Sequence, residues 1–190
     1  MQTTVRSASV RRARVRGAVC GGAIVVASLM WCGALTSAQA PPAKPQRVET
    51  TMLQLMRGIF YPAANVFFAA QTVDPATIQK AWDPAISPDP LTSSYGQWLA
   101  IENSALAMAE ASNLLNLPGR FCSNGKPVPV QNADWQGWVE EMREAGKTGF
   151  KAAQSKNQDN IIEAADVVAE ACRHCHVKYR DAPGGIKNRC

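Results

Sequence analysis

The chain has 190 residues, 20 of them Lys or Arg and 15 Asp or Glu, for a formal charge of +5. Five arginines, Arg6, Arg11, Arg12, Arg14 and Arg16, fall within the first 40 residues, which hold no acid, so the remainder balances 15 basic against 15 acidic side chains. That balance excludes the electrostatic footprint of a nucleic-acid or anionic-membrane binder, and no apolar run after residue 40 is long enough to span a bilayer.

Residues 1–40 read as a secretory signal peptide: the arginines form a basic n-region, "GAVCGGAIVVASLMWCGAL" an apolar h-region, and "TSAQA" a small-residue exit. Cleavage after Ala38 or Ala40 fits this pattern. The Arg11–Arg12 pair lacks the apolar consensus of a twin-arginine signal. Bulky Trp31 before Cys32 is unsuited to lipoprotein processing. The expected product is a periplasmic chain of residues 41–190, long enough for one domain with its own core.

After the proline-rich "PPAKPQ", four helices are predicted in order. The first covers about 47–70, with Met52, Leu55, Met56, Ile59 and Phe60 at helical spacing. Pro62 is expected to kink or interrupt it. "DPAISPDPLTSS" then reads as an irregular connection. Helix two covers about 94–117, with Trp98, Ile101, Leu106, Ala109 and Leu114 as its buried stripe, and ends at "LPGR". "FCSNGKPVPVQ" is a loop. Helix three begins after Asn132 as N-cap and buries Trp135, Trp138, Met142 and Ala145. Helix four begins near Asp159 and turns Ile162, Ala165, Val168, Ala169 and Cys172 inward; "DAPGG" closes it just past Arg180. The tryptophans as a group, with Met108 and Met142, are assigned to the core. With no alternating strand pattern and no internal repeat, the expectation is an all-α domain, most simply an antiparallel four-helix bundle.

"ACRHCHVKYR", residues 171–180, carries the chemistry. C-x-x-C-H is the signature of covalent c-type haem attachment: two thiols three residues apart add to the vinyl groups, and the adjacent imidazole reaches the iron. At about 100° per residue, Cys175 and His176 lie ~60° and ~40° to either side of Cys172, so all three share one face. His174 falls on the opposite face and reads as a surface residue. A redox dithiol needs a βαβ setting that is absent from the pattern. A zinc site needs a fourth ligand, which only remote Cys122 or Cys190 can supply. Haem is therefore preferred over zinc, and zinc over a dithiol.

In an exported all-helical chain, "CRHCHVKYR" resembles the cytochrome c′ family and its cytochrome c-556 relatives (class II c-type cytochromes), loosely over residues 41–190 and closely over the last helix. The specific part is C-x-x-C-H-x-x-Y-R. The resemblance implies one haem c per chain, held by Cys172 and Cys175 with His176 as proximal iron ligand. It also implies Arg180 near the proximal side, tuning the imidazole or iron, with Tyr179 beside it. Members often dimerise through the first two helices, so a homodimer is admitted. The long connection between helices one and two, and the loop holding Cys122, depart from the family.

With only two histidines in the chain, a bis-histidine haem is excluded. An up-down-up-down topology sets His176 opposite a window of helix one that contains Met52, Leu53 and Met56. Met52 or Met56 as sixth ligand would make an electron carrier between periplasmic redox partners; an apolar guard would leave the iron open to small gases such as NO or CO. Both readings stand at this point. Cys122 and Cys190 are the even pair left in an oxidising compartment, and the same topology brings them to one end, where a disulfide is expected. No nucleophile–base pair, carboxylate dyad or phosphate loop points to an enzyme.

Overall fold

The computed structural model describes residues 47–190; the expected signal peptide over residues 1–40 and the proline-rich lead lie outside them. The described residues are mainly helical. Helix α1 comprises α-helical Met52–Leu55, a π-helical turn Met56–Phe60, and α-helical Tyr61–Ala69. Helices α2, Trp98–Leu115, and α3, Ala133–Ser155, follow. Helix α4, Gln158–Cys175, runs on into a second π-helical turn, His176–Arg180. The expected all-α class holds for these residues, whose one β-bridge joins Phe121 and Pro127.

Local chemistry sets the boundaries. Thr51 caps α1 in a capping box with Gln54, satisfying two otherwise orphaned donors. Pro62 does not break the helix. The wider turn just before it absorbs the missing donor, with the Tyr61 amide bonding to the Met56 carbonyl. Asn132 holds the N-cap position of α3, but its side chain makes no cap. Its amide donates instead to the Tyr179 hydroxyl at 3.2 Å. Lys156, in left-handed geometry, and Asn157, which caps α4, make the tight turn between α3 and α4.

The connection from α1 to α2 is more regular than expected. "DPAT", "DPAI" and "DPLT" each form a short 3₁₀ turn in which the Asp carboxylate accepts from the amide two residues on. Proline lacks only the donor such a first turn leaves unused. This is a repeated local device. Trp82 lies in it and is 97% exposed, so one tryptophan expected in the core is on the surface.

Helix α3 packs along α2 on one side and α4 on the other, and α1 packs on α2. The stripe of α2 runs through Trp98, Ile101, Ala105, Met108, Ser112 and Leu115, at the 3-4 spacing of one helical face. Leu106, expected in that stripe, is 38% exposed, because it lies one position out of phase. In α4 the buried face is Ile161, Ala164, Ala165, Val168 and Ala171. Ile162 and Ala169, expected inward, are exposed for the same reason.

At one end of the helices the loop after α2 acts as an anchor. The Met52 amide donates to the Phe121 carbonyl at 2.9 Å. Buried Arg120 donates to the Thr50 carbonyl and hydroxyl, both at 2.6 Å. Cys122, 4% exposed, is joined to Cys190 across 68 residues. Cross-linking so distant a pair restricts the unfolded chain, so Cys122→Ser with Cys190→Ser should cost about 4 kcal/mol. Urea unfolding of the two proteins measures it.

Exposed ion pairs lace the helices, Lys147 to Glu144 at 2.6 Å and Arg173 to Glu170 among them. The hydrogen bond from Arg173 holds the Glu170 pKa down at about 2. An unfolded glutamate takes its proton near pH 4.3. Between those values the unfolded chain binds more protons, so this contribution is complete above about pH 5 and is lost as pH falls. The melting temperature should drop on acidification through that window, and Glu170→Gln should flatten the slope.

Candidate functional site

Helices α1 and α4 lack the close backbone contact that joins α1 to α2, α2 to α3 and α3 to α4. A cavity of about 530 Å³ is lined by both helices, by α3 and by the C-terminal tail. Its size falls within the range of cofactor pockets.

From α4 the cavity is lined by Ala171, Cys172 and Cys175, and from the π-turn by His176, Tyr179 and Arg180. The three C-x-x-C-H side chains thus reach one space, and His174 does not line it. His174 bridges α4 to α3 instead, its Nδ1 2.8 Å from the Glu141 carboxylate and its Nε2 2.9 Å from that of Glu170. From α1 come Met52, Met56, Phe60, Ala64 and Phe68. Both candidate distal methionines therefore line the cavity that His176 lines. Met52 is buried and Met56 half-buried.

Each π-turn begins at one of these residues, Met56 in α1 and His176 after α4. The Asp181 amide bonds to the His176 carbonyl at 2.8 Å, closing the second wide turn. Such turns re-aim the side chains that follow, and they recur at functional sites.

Aromatic packing fixes the α4 end. The Tyr179 ring sits edge-on to Trp135 and Trp138, with centroids 5.0 and 5.8 Å apart. Its hydroxyl donates to Asp134 at 3.1 Å, and Lys178 pairs with the same carboxylate. The Lys178 hydrogen bond is the main cause that lowers the Asp134 pKa. Arg180 makes a two-pronged pair with Asp181 at 2.8 and 2.7 Å while lining the cavity.

Burial governs the protonation of the attachment residues. It raises the Cys172 pKa and pushes that of Cys175 up to about 11, the neighbouring Cys172 and Asp134 adding to the latter. Burial, then the charge of Arg180, lowers the His176 pKa. The site presents two neutral thiols and a neutral imidazole. A redox dithiol works through a thiolate of depressed pKa, so these shifts run the wrong way for that chemistry. Zinc fares no better: Cys122 and Cys190, either of which could have supplied its fourth ligand, are bonded to each other. Among the described residues no three His, Cys, Asp or Glu converge as a metal-binding group.

The residues fit a haem. A flat apolar macrocycle suits a cavity walled by aliphatic, aromatic and methionine side chains, and its carboxylates suit Arg57, Arg180 and Arg189, the charged residues of the lining. Sequence reasoning missed Arg57, Arg189 and the cavity-facing position of Met142. Met142 was assigned to the core by its helical phase, which is correct but incomplete. Arg189 carries no periodic signal, since it lies in a tail that long-range contacts, the disulfide among them, bring back. Searches against family models, curated proteins and solved structures found no match to the chain.

Proposed function

We propose that the protein is an exported monohaem c-type cytochrome, a four-helix bundle that passes single electrons between periplasmic redox partners. The observation that carries this reading is that Cys172, Cys175 and His176 line one apolar cavity together with Met52 and Met56.

Cys172 and Cys175 would hold the haem through thioethers, and His176 would be the proximal ligand. When bound, the haem supplies an iron that alternates between ferric and ferrous forms. The rest falls to the chain. Burial keeps the His176 imidazole neutral, the form that ligates. Tyr179, held between Trp135 and Trp138 and tied to Asp134, fixes the π-turn that carries His176. Arg180 places a cation near the imidazole, tempered by its pairing with Asp181. The apolar walls exclude water and favour the less charged ferrous state.

Met52 and Met56 lie one turn apart on the wall supplied by α1, and a thioether from either would complete a six-coordinate electron carrier. Phe60, Ala64 and Phe68 line the same wall and favour a second reading, an open iron guarded by apolar groups that binds NO or CO. The test is the absorption spectrum of the protein matured in a haem-attaching host, ferrous, with and without carbon monoxide. A low-spin spectrum indifferent to the gas supports the electron carrier with a filled sixth site. A high-spin spectrum that shifts supports gas binding. A colourless product from a competent host overturns both.

A further inference from the structure

We propose that the C-terminal segment, residues 181–190, is a latched wall of the cavity, and that Arg189 is the residue it delivers to receive the carboxylates of the bound tetrapyrrole. The inference rests on the haem reading and adds to it a binding residue and a purpose for the disulfide.

The tail leaves the π-turn at Asp181, reverses through Gly184 and Gly185 with φ of +101° and +61°, and returns along the segment it has just left. There the Cys190 amide donates to the Tyr179 carbonyl at 2.7 Å and Arg189 Nε donates to the Arg180 carbonyl at 3.3 Å. Asp181, Pro183, Gly184, Gly185, Lys187 and Asn188 are exposed. The segment's firm attachment is the bond from Cys190 to buried Cys122. The consequence of that bond is positional: Arg189 and Cys190 become part of the cavity lining.

The charge pattern identifies what Arg189 meets. Among the described residues three arginines and no acidic side chain line the cavity. Arg180 is committed to Asp181. Arg57 is exposed to water, whereas Arg189 is half-buried. Among the described residues no carboxylate lies within ion-pair distance of Arg189, and Asp181, which feels its charge weakly, is the partner of Arg180. The half-buried Arg189 side chain makes one long bond to a carbonyl, and a guanidinium's remaining donors suit an anion such as a carboxylate. A haem supplies that anion, an apolar body with carboxylates along one edge.

The test is a spectroelectrochemical titration of haem-loaded wild type, R189Q, R189K, C122S/C190S and the triple variant C122S/C190S/R189Q. Removing a cation near the iron favours the ferric state. R189Q should shift the ferric/ferrous equilibrium about tenfold, lowering the potential by about 59 mV, and R189K should restore most of it. C122S/C190S should lower the potential by a similar factor, since the freed tail carries Arg189 away. Adding R189Q to it should then change nothing further. A wild-type potential in R189Q, or additive effects in the triple variant, would overturn the proposal while leaving the haem reading intact. If the disulfide-free chain does not fold, R189Q and R189K decide the matter alone. A colourless wild type would overturn the haem reading, and this assignment with it.

Discussion

A chain carrying Cys172→Ala and Cys175→Ala, exported from a haem-attaching host, should emerge colourless and lighter than the wild type by one haem. Each thiol lines the cavity, and each is held protonated by burial, so neither has a second role in ion pairing or redox exchange to confuse the result. Cysteine to alanine removes one polarizable atom from a half-buried position, and the fold should survive with a loss of about 1 kcal/mol. Circular dichroism should therefore stay helical while colour is lost entirely. His176→Ala separates attachment from ligation: the thioethers still form, and the spectrum loses its proximal imidazole. Denaturing mass spectrometry of all three proteins reads the outcome. A mass difference no larger than the two lost sulfur atoms would sink the haem reading.

A large stability loss is also expected at Gly146→Val. A Cβ placed at Gly146 would stand 2.7 Å from the Ala109 backbone nitrogen, 2.9 Å from the Ala109 Cβ and 3.0 Å from the Ala105 carbonyl oxygen. All three belong to α2, and none is the end of a side chain that can swing away. Helices α2 and α3 must separate to admit it, at a cost of about 3 kcal/mol or more, a large part of the 5–15 kcal/mol typical of a domain. The site suffers too, since α3 carries Trp135, Trp138, Val139 and Met142 to the cavity. Gly149 is the softer case, because its neighbour is the ring of Phe67 at 2.9 Å. Gly137, on the exposed side of α3 with nothing within 4 Å of its added Cβ, is the control. Gly137→Ala should stabilise by about 0.5–1 kcal/mol through helix propensity alone. Thermal melts of Gly146→Val and Gly137→Ala should move in opposite directions.

The helices were legible in the sequence because their apolar positions recur with the period of one face. Trp98, Ile101, Met142, Val168 and Ala165 all fall where that reasoning puts them. The errors were of phase and of local turn chemistry. Leu106, Ile162 and Ala169 sit next to the true stripe, and the period does not distinguish adjacent apolar positions on a helix rich in alanine. The three Asp-Pro turns carry no periodic signal: proline ends regular helix and strand, yet beside a capping Asp it starts a 3₁₀ turn. Trp82, just before one of these turns, has no helical face to bury it.

For the candidate site, spacing alone determined that Cys172, Cys175 and His176 share a face and that His174 does not. Residue types within an expected up-down-up-down topology singled out Met52 and Met56 as the methionines of helix one opposite His176, and cysteine parity singled out Cys122 and Cys190. Only the tertiary structure decided that α1 and α4 stand apart around a cavity, that π-turns begin at Met56 and His176, and that the tail folds back to bring Arg189 into the lining. The reason is physical. Periodicity records which face of a helix avoids water, a property of one segment, whereas a cavity and a returning tail arise from how distant segments meet.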